Sequence, residues 1–137
     1  MNKLNKLVSI VIPIYNESEN IKLLAEEILK VMNSNNIYFE LILVNDGSND
    51  STSHILNELS FNIKELKVLN LRKNYGQTAA MAAGFDHSNG EIIISLDGDL
   101  QNDPNDIPKL IQTIEEGYDL VCGWRFERKD KLISRRI

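Results

Sequence analysis

Short apolar runs alternate along this chain with segments in which apolar residues recur at helical spacing. The apolar runs are rich in Val, Ile and Leu and most are followed by a polar turn, which predicts buried strands over residues 7–14, 40–44, 67–71, 91–96 and 119–123. The segments between them predict four amphipathic helices. Their apolar faces carry Ile21, Leu24, Ala25, Ile28 and Met32 in the first helix, Ile55, Leu56 and Leu59 in the second (51–59), the alanines of 78–86 in the third, and Ile107, Leu110, Ile111 and Ile114 in the fourth, which follows Pro104.

This alternation of strands and helices predicts an α/β fold with a mostly parallel sheet covered by helices on both faces. Near-continuous apolar strands are typical of strands that are buried on both sides. A capping box formed by Asn16 and Glu19 is expected to begin the first helix. The length of 137 residues fits one domain with its own core.

Polar clusters follow the ends of the predicted strands. Residues 15–17 follow the first strand, 46–48 the second and 97–99 the fourth, while Arg125 and Arg128 follow the fifth. Ligands of open parallel sheets bind beyond the carboxyl ends of the strands. The sequence therefore predicts that the chemistry of this protein is concentrated at one edge of the sheet.

The most informative of these clusters is Asp97-Gly98-Asp99. Residues i and i+2 at the end of a strand point the same way, so the two carboxylates can converge on one small target, and Gly98 lets the backbone come close to it. Two neighbouring carboxylates repel each other unless a cation lies near them. Hard oxygen ligands of this kind suit Mg²⁺ or Mn²⁺, which can in turn hold phosphate oxygens. Metal-assisted chemistry on a phosphorylated substrate is the hypothesis that follows.

Composition and charge limit the kinds of partner that this chain can bind and the compartment that it fits. The net charge of −5 argues against a nucleic-acid binder, because phosphate backbones favour basic surfaces. The single cysteine, Cys122, excludes an internal disulfide and fits a reducing compartment. No apolar run approaches the ~20 residues that cross a bilayer, so a cytoplasmic chain that does not span the membrane is expected. Residues 124–137 hold six basic and two acidic residues; they form either a solvated end or a surface for phosphates or anionic lipids, peripheral to the cytoplasmic face of the membrane.

Each of the remaining motifs is ambiguous when it is considered alone. Asp46-Gly47-Ser48 is a common turn, but a carboxylate at the end of a buried strand could also accept a hydrogen bond from a nucleobase. Pro13 could simply end an edge strand, yet a rigid loop that carries Tyr15 could form a wall for a flat base. Gly76 either permits tight packing of a helix on the sheet or admits a ligand close to the backbone.

Together, four motifs resemble those of glycosyltransferase family 2 in the expected order and spacing: residues 8–17, 45–52, 72–80 and 97–104. Asp-x-Asp followed by Leu-Gln and a nearby Pro is most similar to the polyprenyl-phosphate and dolichyl-phosphate sugar synthases. The resemblance covers essentially all of the chain. It implies a GT-A (Rossmann-like) fold, a UDP- or GDP-sugar donor, inversion at the anomeric carbon, and a lipid-phosphate acceptor such as undecaprenyl or dolichyl phosphate, as in the synthesis of cell-envelope glycans.

The resemblance also implies roles for residues on the nucleoside side of the site. Pro13, Tyr15 and Glu17 match family positions that line the nucleoside pocket, and Asp46 matches the residue that contacts the base. This chain departs from the family pattern at Asn45, where the family often has a first aspartate. The departure is expected to change ribose or base contacts without removing the main one, because Asp46 remains.

On the phosphate side, the resemblance places Asp97 near the ribose and the metal. Asp99 and Gln101 are implied as ligands of Mg²⁺ or Mn²⁺ on the diphosphate, and Arg125 and Arg128 match arginines that face phosphates. A divalent ion and arginine side chains stabilise the charge that develops on the departing diphosphate, so Asp99, Arg125 and Arg128 are the catalytic candidates. An ionised lipid phosphate needs little help from a general base.

Three other functions stay open at this point. Family members continue past the basic segment into an acceptor-side region and often into membrane helices, so residues 1–137 are expected to form the donor-binding domain without those regions. The chain could therefore be a truncated module that binds a nucleotide sugar without catalysis. A nucleotidyltransferase is disfavoured by the lack of a Gly-rich, basic phosphate loop after the first strand. A phosphatase with an Asp-x-Asp nucleophile is disfavoured because that motif follows the fourth strand.

Overall fold

The strands of this protein belong to two compact units, residues Met1–Asp103 and Pro104–Ile137. The computed structural model describes residues 4–99, 101–117, 120–126 and 129–135, with the main chain alone for residues 4 and 5 and for those beyond 119. The strands and the helices alternate along the first unit, in agreement with the pattern of apolar residues.

The first unit is a four-stranded parallel sheet with three helices. Its elements are β1 (Leu4–Ile14), α1 (Ile21–Ser34), β2 (Ile37–Asn45), α2 (Thr52–Asn62), β3 (Leu66–Asn70), α3 (Gln77–Asp86) and β4 (Ile92–Ser95). The strand order is β3-β2-β1-β4, and every neighbouring pair is parallel. The predicted α/β fold with a parallel sheet is confirmed.

Apolar side chains are buried on both faces of this sheet. Val11, Ile42 and Val44 form one cluster with Ala80 of α3, so α3 covers that face. The alternate residues on the same strands, which point to the other face, are fully buried as well: Ile10, Ile12, Leu41 and Leu43. Helix α1 packs against β2, and α2 packs against β3. The chain runs from β1 through β2 to β3 in one direction across the sheet and then crosses back to β4. Because crossovers between parallel strands are right-handed, this change of direction places α1 and α2 on the face opposite α3.

Strand β4 departs from the expectation of complete burial. Its residues alternate between buried and exposed, and Ile93 is 42% exposed. Ile93 lies on the face that α3 covers, but α3 packs mainly on β1 and β2, and β4 lies beyond them at the edge of the sheet.

The second unit contains a 3₁₀ turn (Pro104–Asp106), α4 (Ile107–Glu115), β5 (Leu120–Phe126) and β6 (Lys129–Arg135). The predicted fourth helix and fifth strand are present. Strand β5 pairs in an antiparallel sense with β6, an element that the apolar pattern did not indicate. Only two residues connect these strands, and so short a connection joins antiparallel neighbours only.

The predicted capping box of Asn16 and Glu19 is also wrong. Helix α1 begins at Ile21 with Asn20 as its N-cap, and the cap residue makes no side-chain hydrogen bond to the helix. Asn16 has φ of 51°, and its side chain bonds to Asn49 instead. The entry to α1 is held by the Glu17 carbonyl, which accepts hydrogen bonds from the N–H groups of Asn20 and Ile21.

A buried polar network crosses the sheet on the face that α3 covers. Glu40 of β2 is 7% exposed, and its carboxylate accepts hydrogen bonds from the Ser9 hydroxyl and the Asn89 N–H. Lys67 Nζ lies 2.8 Å from Glu40 Oε1. Burial raises the pKa of Glu40, but these hydrogen bonds and the Lys67 charge outweigh it and hold the pKa below its usual value of 4.5. The ionised form of Glu40 therefore stabilises the fold.

The sign of this shift predicts a pH dependence of stability. A carboxyl whose pKa is lowered by folding stabilises the native state above its unfolded pKa, and this contribution disappears as the pH falls through the lower folded value. We expect Glu40→Gln to be less stable than the wild type at about pH 7, with a difference that shrinks toward about pH 3. Urea unfolding measures this difference in the free energy of unfolding, with substitution of the exposed Glu58 (Glu58→Gln) as the control. A difference that does not depend on pH would contradict the assignment.

Candidate functional site

A cleft of about 500 Å³ lies at the carboxyl ends of the four parallel strands. All four strands contribute to its lining: Pro13, Ile14, Tyr15 and Glu17 at the end of β1, Asp46 after β2, Asn74, Gly76 and Gln77 after β3, and Asp97, Gly98 and Asp99 after β4. The carboxyl ends of the strands are the position where open α/β sheets bind ligands. The volume fits a small-molecule ligand.

The charge of this cleft restricts what it can bind. Four of its lining residues are carboxylic acids, and none of the described lining residues is Lys or Arg. An anionic ligand such as a nucleotide diphosphate would be repelled by this lining unless a cation lay between them. The cleft therefore suits either a cation or an anion that brings one.

Asp46 is the most deeply buried of these acids, with 3% of its surface exposed. Its Oδ1 accepts a hydrogen bond from the Tyr75 N–H at 2.8 Å, and its Oδ2 accepts one from the Gly76 N–H at 3.0 Å. The Asn74 side-chain amide donates to Oδ2 and to the Asp46 carbonyl. Asp46 thus anchors the loop that leads into α3, and its Oδ1 keeps a second lone pair for a ligand.

The same loop requires a glycine after Asp46. Gly47 has φ of 69°, and a Cβ at this position would collide with the main chain of Lys73 and Asn74. A side chain here would push the 73–76 loop away from the Asp46 carboxylate. The Asp-Gly pair is therefore a packing requirement of the cleft as well as a turn.

The loop after β1 is held against the loop after β2 by a set of hydrogen bonds. The Asn16 N–H donates to the Ser48 hydroxyl, and the side chains and main chains of Asn16 and Asn49 exchange two further bonds. Asn16 adopts the left-handed conformation that asparagine tolerates better than most residues. These bonds fix the neighbouring Tyr15, which is 43% exposed, and Glu17 at the wall of the cleft.

The turn after β4 is fixed by hydrogen bonds between its main-chain N–H groups and nearby side chains. The Asp97 N–H donates to Asn102 Oδ1 at 2.8 Å, and Asp99 Oδ1 accepts the Gln101 N–H at 3.1 Å. A Cβ on Gly98 would lie 2.7 Å from Ile14 Cδ1 and 3.1 Å from the Pro13 carbonyl, so a larger residue here would crowd the turn against β1. Asp97 and Asp99 are both exposed on the cleft side of the turn.

This arrangement fits a magnesium or manganese ion held jointly by protein and ligand. Within the described residues, no group of three or more His, Cys, Asp or Glu side chains could enclose a metal. The described hydrogen bonds to the carboxylates of Asp97 and Asp99 engage Oδ1 of each and leave Oδ2 for a cation. Mg²⁺ typically binds through one or two carboxylates together with substrate phosphates.

Asn45 does not line the cleft, contrary to the expectation that it changes ribose or base contacts. It is 4% exposed, and its amide donates to Ser53 Oγ and Asn70 Oδ1 while its carbonyl oxygen accepts the Ser48 N–H. A carboxylate could not donate to Asn70 Oδ1. The asparagine here therefore ties β2 to β3 and to the start of α2.

The cleft gathers six of the predicted site residues: Pro13, Tyr15, Glu17, Asp46, Asp97 and Asp99. Gln101 is exposed and contacts Asp99 through its main chain, but it does not line the cleft. Arg125 lies in β5, where the structure describes the main chain alone, and Arg128 lies outside the described residues. The binding roles of all nine residues stay predictions.

Sequence reasoning assigned no role to Asn74 or Gln77, although both line the cleft. The available signal was their position, because two polar amides follow the third strand immediately before an Ala-rich helix. Their partners, Asp46 and Asp97, are 28 and 20 residues away in sequence. Spacing along the chain does not indicate such contacts.

The fold and the cleft define an α/β domain with a ligand site at the carboxyl edge of its sheet. The chain matches the model of the family described as glycosyl transferase family 2 over residues 9–136, and it belongs to that family. It is 45% identical over 131 residues to the undecaprenyl-phosphate 4-deoxy-4-formamido-L-arabinose transferase of Photorhabdus laumondii. It is 44% identical over 134 residues to the dodecaprenyl-phosphate galacturonate synthase of Rhizobium johnstonii. Each match covers 95% of this chain, which spans about 40% of the length of these relatives.

Solved structures support the fold. The mannosyltransferase PcManGT of Pyrobaculum calidifontis, in complex with GDP-Man and Mn²⁺, matches 70% of this chain and 28% of its own at 21% identity, with a TM-score of 0.61. S. aureus TarS 1-349 in complex with UDP-GlcNAc matches 80% of this chain and 31% of its own at 23% identity, with a TM-score of 0.65. The fold is therefore of the GT-A type. Among the described residues, no helix has the length and apolarity that a membrane span needs.

Proposed function

We propose that this chain forms the donor-binding part of an inverting glycosyltransferase that moves a sugar from a nucleotide diphosphate to a polyprenyl phosphate. The observation that carries the proposal is the acidic cleft at the carboxyl edge of the sheet. Its deepest acid, Asp46, is held by main-chain N–H groups, while Asp97 and Asp99 are exposed at the end of β4 on the same edge of the sheet. Family membership supports the reaction type.

The nucleoside is assigned to the side of the cleft formed by β1 and β2. Tyr15 and Pro13 offer a flat wall, and the hydrogen bonds between the loops after β1 and β2 hold it in place. The free lone pair of Asp46 Oδ1 would accept a hydrogen bond from an N–H of the base. This placement leaves the diphosphate at the turn after β4.

The metal, Mg²⁺ or Mn²⁺, would be held by Asp97, Asp99 and Gln101 and would neutralise the charge of the departing diphosphate. The fixed backbone of the 97–99 turn holds these carboxylates at the cleft before the ligand arrives, which lowers the cost of reorganisation. Arg125 and Arg128 are assigned to the phosphates. An acceptor phosphate is already ionised near pH 7, so the main task of the protein is to orient it for in-line attack.

The names of the relatives support the lipid-phosphate acceptor, since both include a polyprenyl phosphate. GDP-Man and UDP-GlcNAc in the neighbouring structures support a nucleotide-sugar donor, with either base. We further assign the protein to the cytoplasm, peripheral to the membrane through the basic segment 124–137. Co-sedimentation with vesicles that contain anionic lipid, and none with neutral vesicles, tests this assignment.

Calorimetric titration of UDP and GDP into the chain, with Mn²⁺ and with chelator, tests the donor site. We expect one of the two nucleotides to bind, and to bind more tightly with Mn²⁺, because the cleft is acidic and the ligand is anionic. Binding of neither nucleotide would contradict the proposal. Sugar transfer to a polyprenyl phosphate by the same chain would then exclude the alternative of a non-catalytic binding module.

A further inference from the structure

Gln77 contacts the first aspartate of the Asp97-Gly98-Asp99 turn. It is the first residue of α3, and its Nε2 donates a hydrogen bond to Asp97 Oδ1 at 3.1 Å. The two residues are 20 positions apart in sequence and belong to different strand ends of the sheet. We propose that Gln77 is a positioning residue that fixes the orientation of the Asp97 carboxylate for metal binding.

The backbone of Asp97 is already fixed without Gln77. The Leu96 N–H bonds to the Val11 carbonyl, and the Asp97 N–H bonds to Asn102 Oδ1. Only the two side-chain torsions of Asp97 are left to vary. The hydrogen bond from Gln77 to Oδ1 favours one of these rotamers. In that rotamer Oδ2 is available to a different partner.

The position of Gln77 is fixed in turn by Asp46. The Asp46 carboxylate holds the N–H groups of Tyr75 and Gly76, which immediately precede Gln77. The start of α3 is therefore tied to the end of β2, and Gln77 extends from this fixed point to Asp97. A side chain on a rigid element holds its partner more tightly than one on an unrestrained loop.

The chemistry of an amide suits this task. A lysine or an arginine at position 77 would also donate to Asp97, but its positive charge would compete with a divalent cation for the carboxylate. The neutral amide orients the carboxylate and leaves its charge for the metal. Groups that hydrogen-bond to metal ligands in this way change metal affinity by about 10- to 100-fold when they are removed.

The inference rests on the proposed metal site at Asp97 and Asp99, and the test separates the two. Gln77→Met keeps the length of the side chain and removes its donor, whereas Gln77→Ala removes both. Thr78→Ala, an exposed neighbour on the same helix, is the matched control. Mn²⁺ affinity is measured by electron paramagnetic resonance of free Mn²⁺ with saturating UDP, or GDP if that nucleotide binds, and nucleotide affinity is measured separately in chelator.

We expect both Gln77 variants to bind Mn²⁺ about 10-fold more weakly than the wild type, with nucleotide affinity in chelator unchanged and with Thr78→Ala like the wild type. Wild-type Mn²⁺ affinity in Gln77→Met would overturn the inference and leave the proposed function standing. An equal loss in Thr78→Ala, or a parallel loss of affinity in chelator, would also overturn it, since Gln77 would then act through the helix or on the nucleotide itself. Absence of Mn²⁺-dependent nucleotide binding in the wild type would overturn the proposed function and the inference together.

Discussion

Asp46→Ala is expected to destabilise the fold by about 3 kcal/mol and to weaken metal-free nucleotide binding by about 5- to 150-fold. The carboxylate is 3% exposed and accepts the N–H groups of both Tyr75 and Gly76. Hydrogen bonds to a charged acceptor contribute about 1.5–3 kcal/mol each, and the variant leaves both donors without it. The nucleotide loses the base contact proposed for Oδ1 and also a well-ordered loop on its side of the cleft.

Hydrogen exchange of individual amides distinguishes this role from a general loss of stability. The Tyr75 and Gly76 amides should lose more protection in Asp46→Ala than the drop in global stability explains, whereas the Leu96 amide, which bonds to the Val11 carbonyl, should lose no more than that drop. Asp86→Ala, which removes an exposed aspartate at the other end of α3, is the control. Unchanged protection at Tyr75 and Gly76 would refute the anchoring role, and unchanged metal-free affinity would return Asp46 to the status of a turn residue.

Asp99→Ala is expected to abolish the dependence of nucleotide binding on Mn²⁺. The metal affinity should fall by at least about 100-fold, because removal of a metal ligand costs more affinity than removal of a group that hydrogen-bonds to a ligand. Asp99 is exposed, and its described hydrogen bond is a local one to the Gln101 N–H. The free energy of unfolding should therefore change by no more than about 0.5 kcal/mol.

Calorimetric titration of the nucleotide, with Mn²⁺ and with chelator, measures this effect. In Asp99→Ala the two affinities should become equal, and the value in chelator should match that of the wild type. Asp86→Ala should keep the difference between them. If Mn²⁺ still strengthens binding in Asp99→Ala to the wild-type extent, the assignment of Asp99 as a metal ligand is wrong.

The predictions made from periodicity were confirmed where the structure of an element depends mainly on its own residues. The four strands of the parallel sheet and the four helices lie where apolar spacing indicated them, because burial of an apolar stripe or run is encoded locally. The edge at which Tyr15, Asp46 and Asp97 meet was also predictable, since parallel strands end on the same side of a sheet.

The predictions that failed each involve a partner distant in sequence. Asn16 was expected to cap α1, but its side chain bonds to Asn49, 33 residues away. Asn45 was expected to change ribose or base contacts, but it does not line the cleft, and its amide donates to Ser53 and Asn70.

The sequence by itself determined the order of elements, the parallel core and the family motifs that bring acidic residues to one edge, because hydrophobic periodicity and turn chemistry act over a few residues. The tertiary structure alone decided which polar groups form hydrogen bonds with one another. The sequence left Asp46 as either a turn residue or a base ligand, and the tertiary structure added that its carboxylate anchors the Tyr75 and Gly76 N–H groups. Gln77 had no role until the start of α3 was placed beside Asp97. A hydrogen bond depends on distances of a few ångströms between strand ends, and only packing of the whole sheet sets those distances.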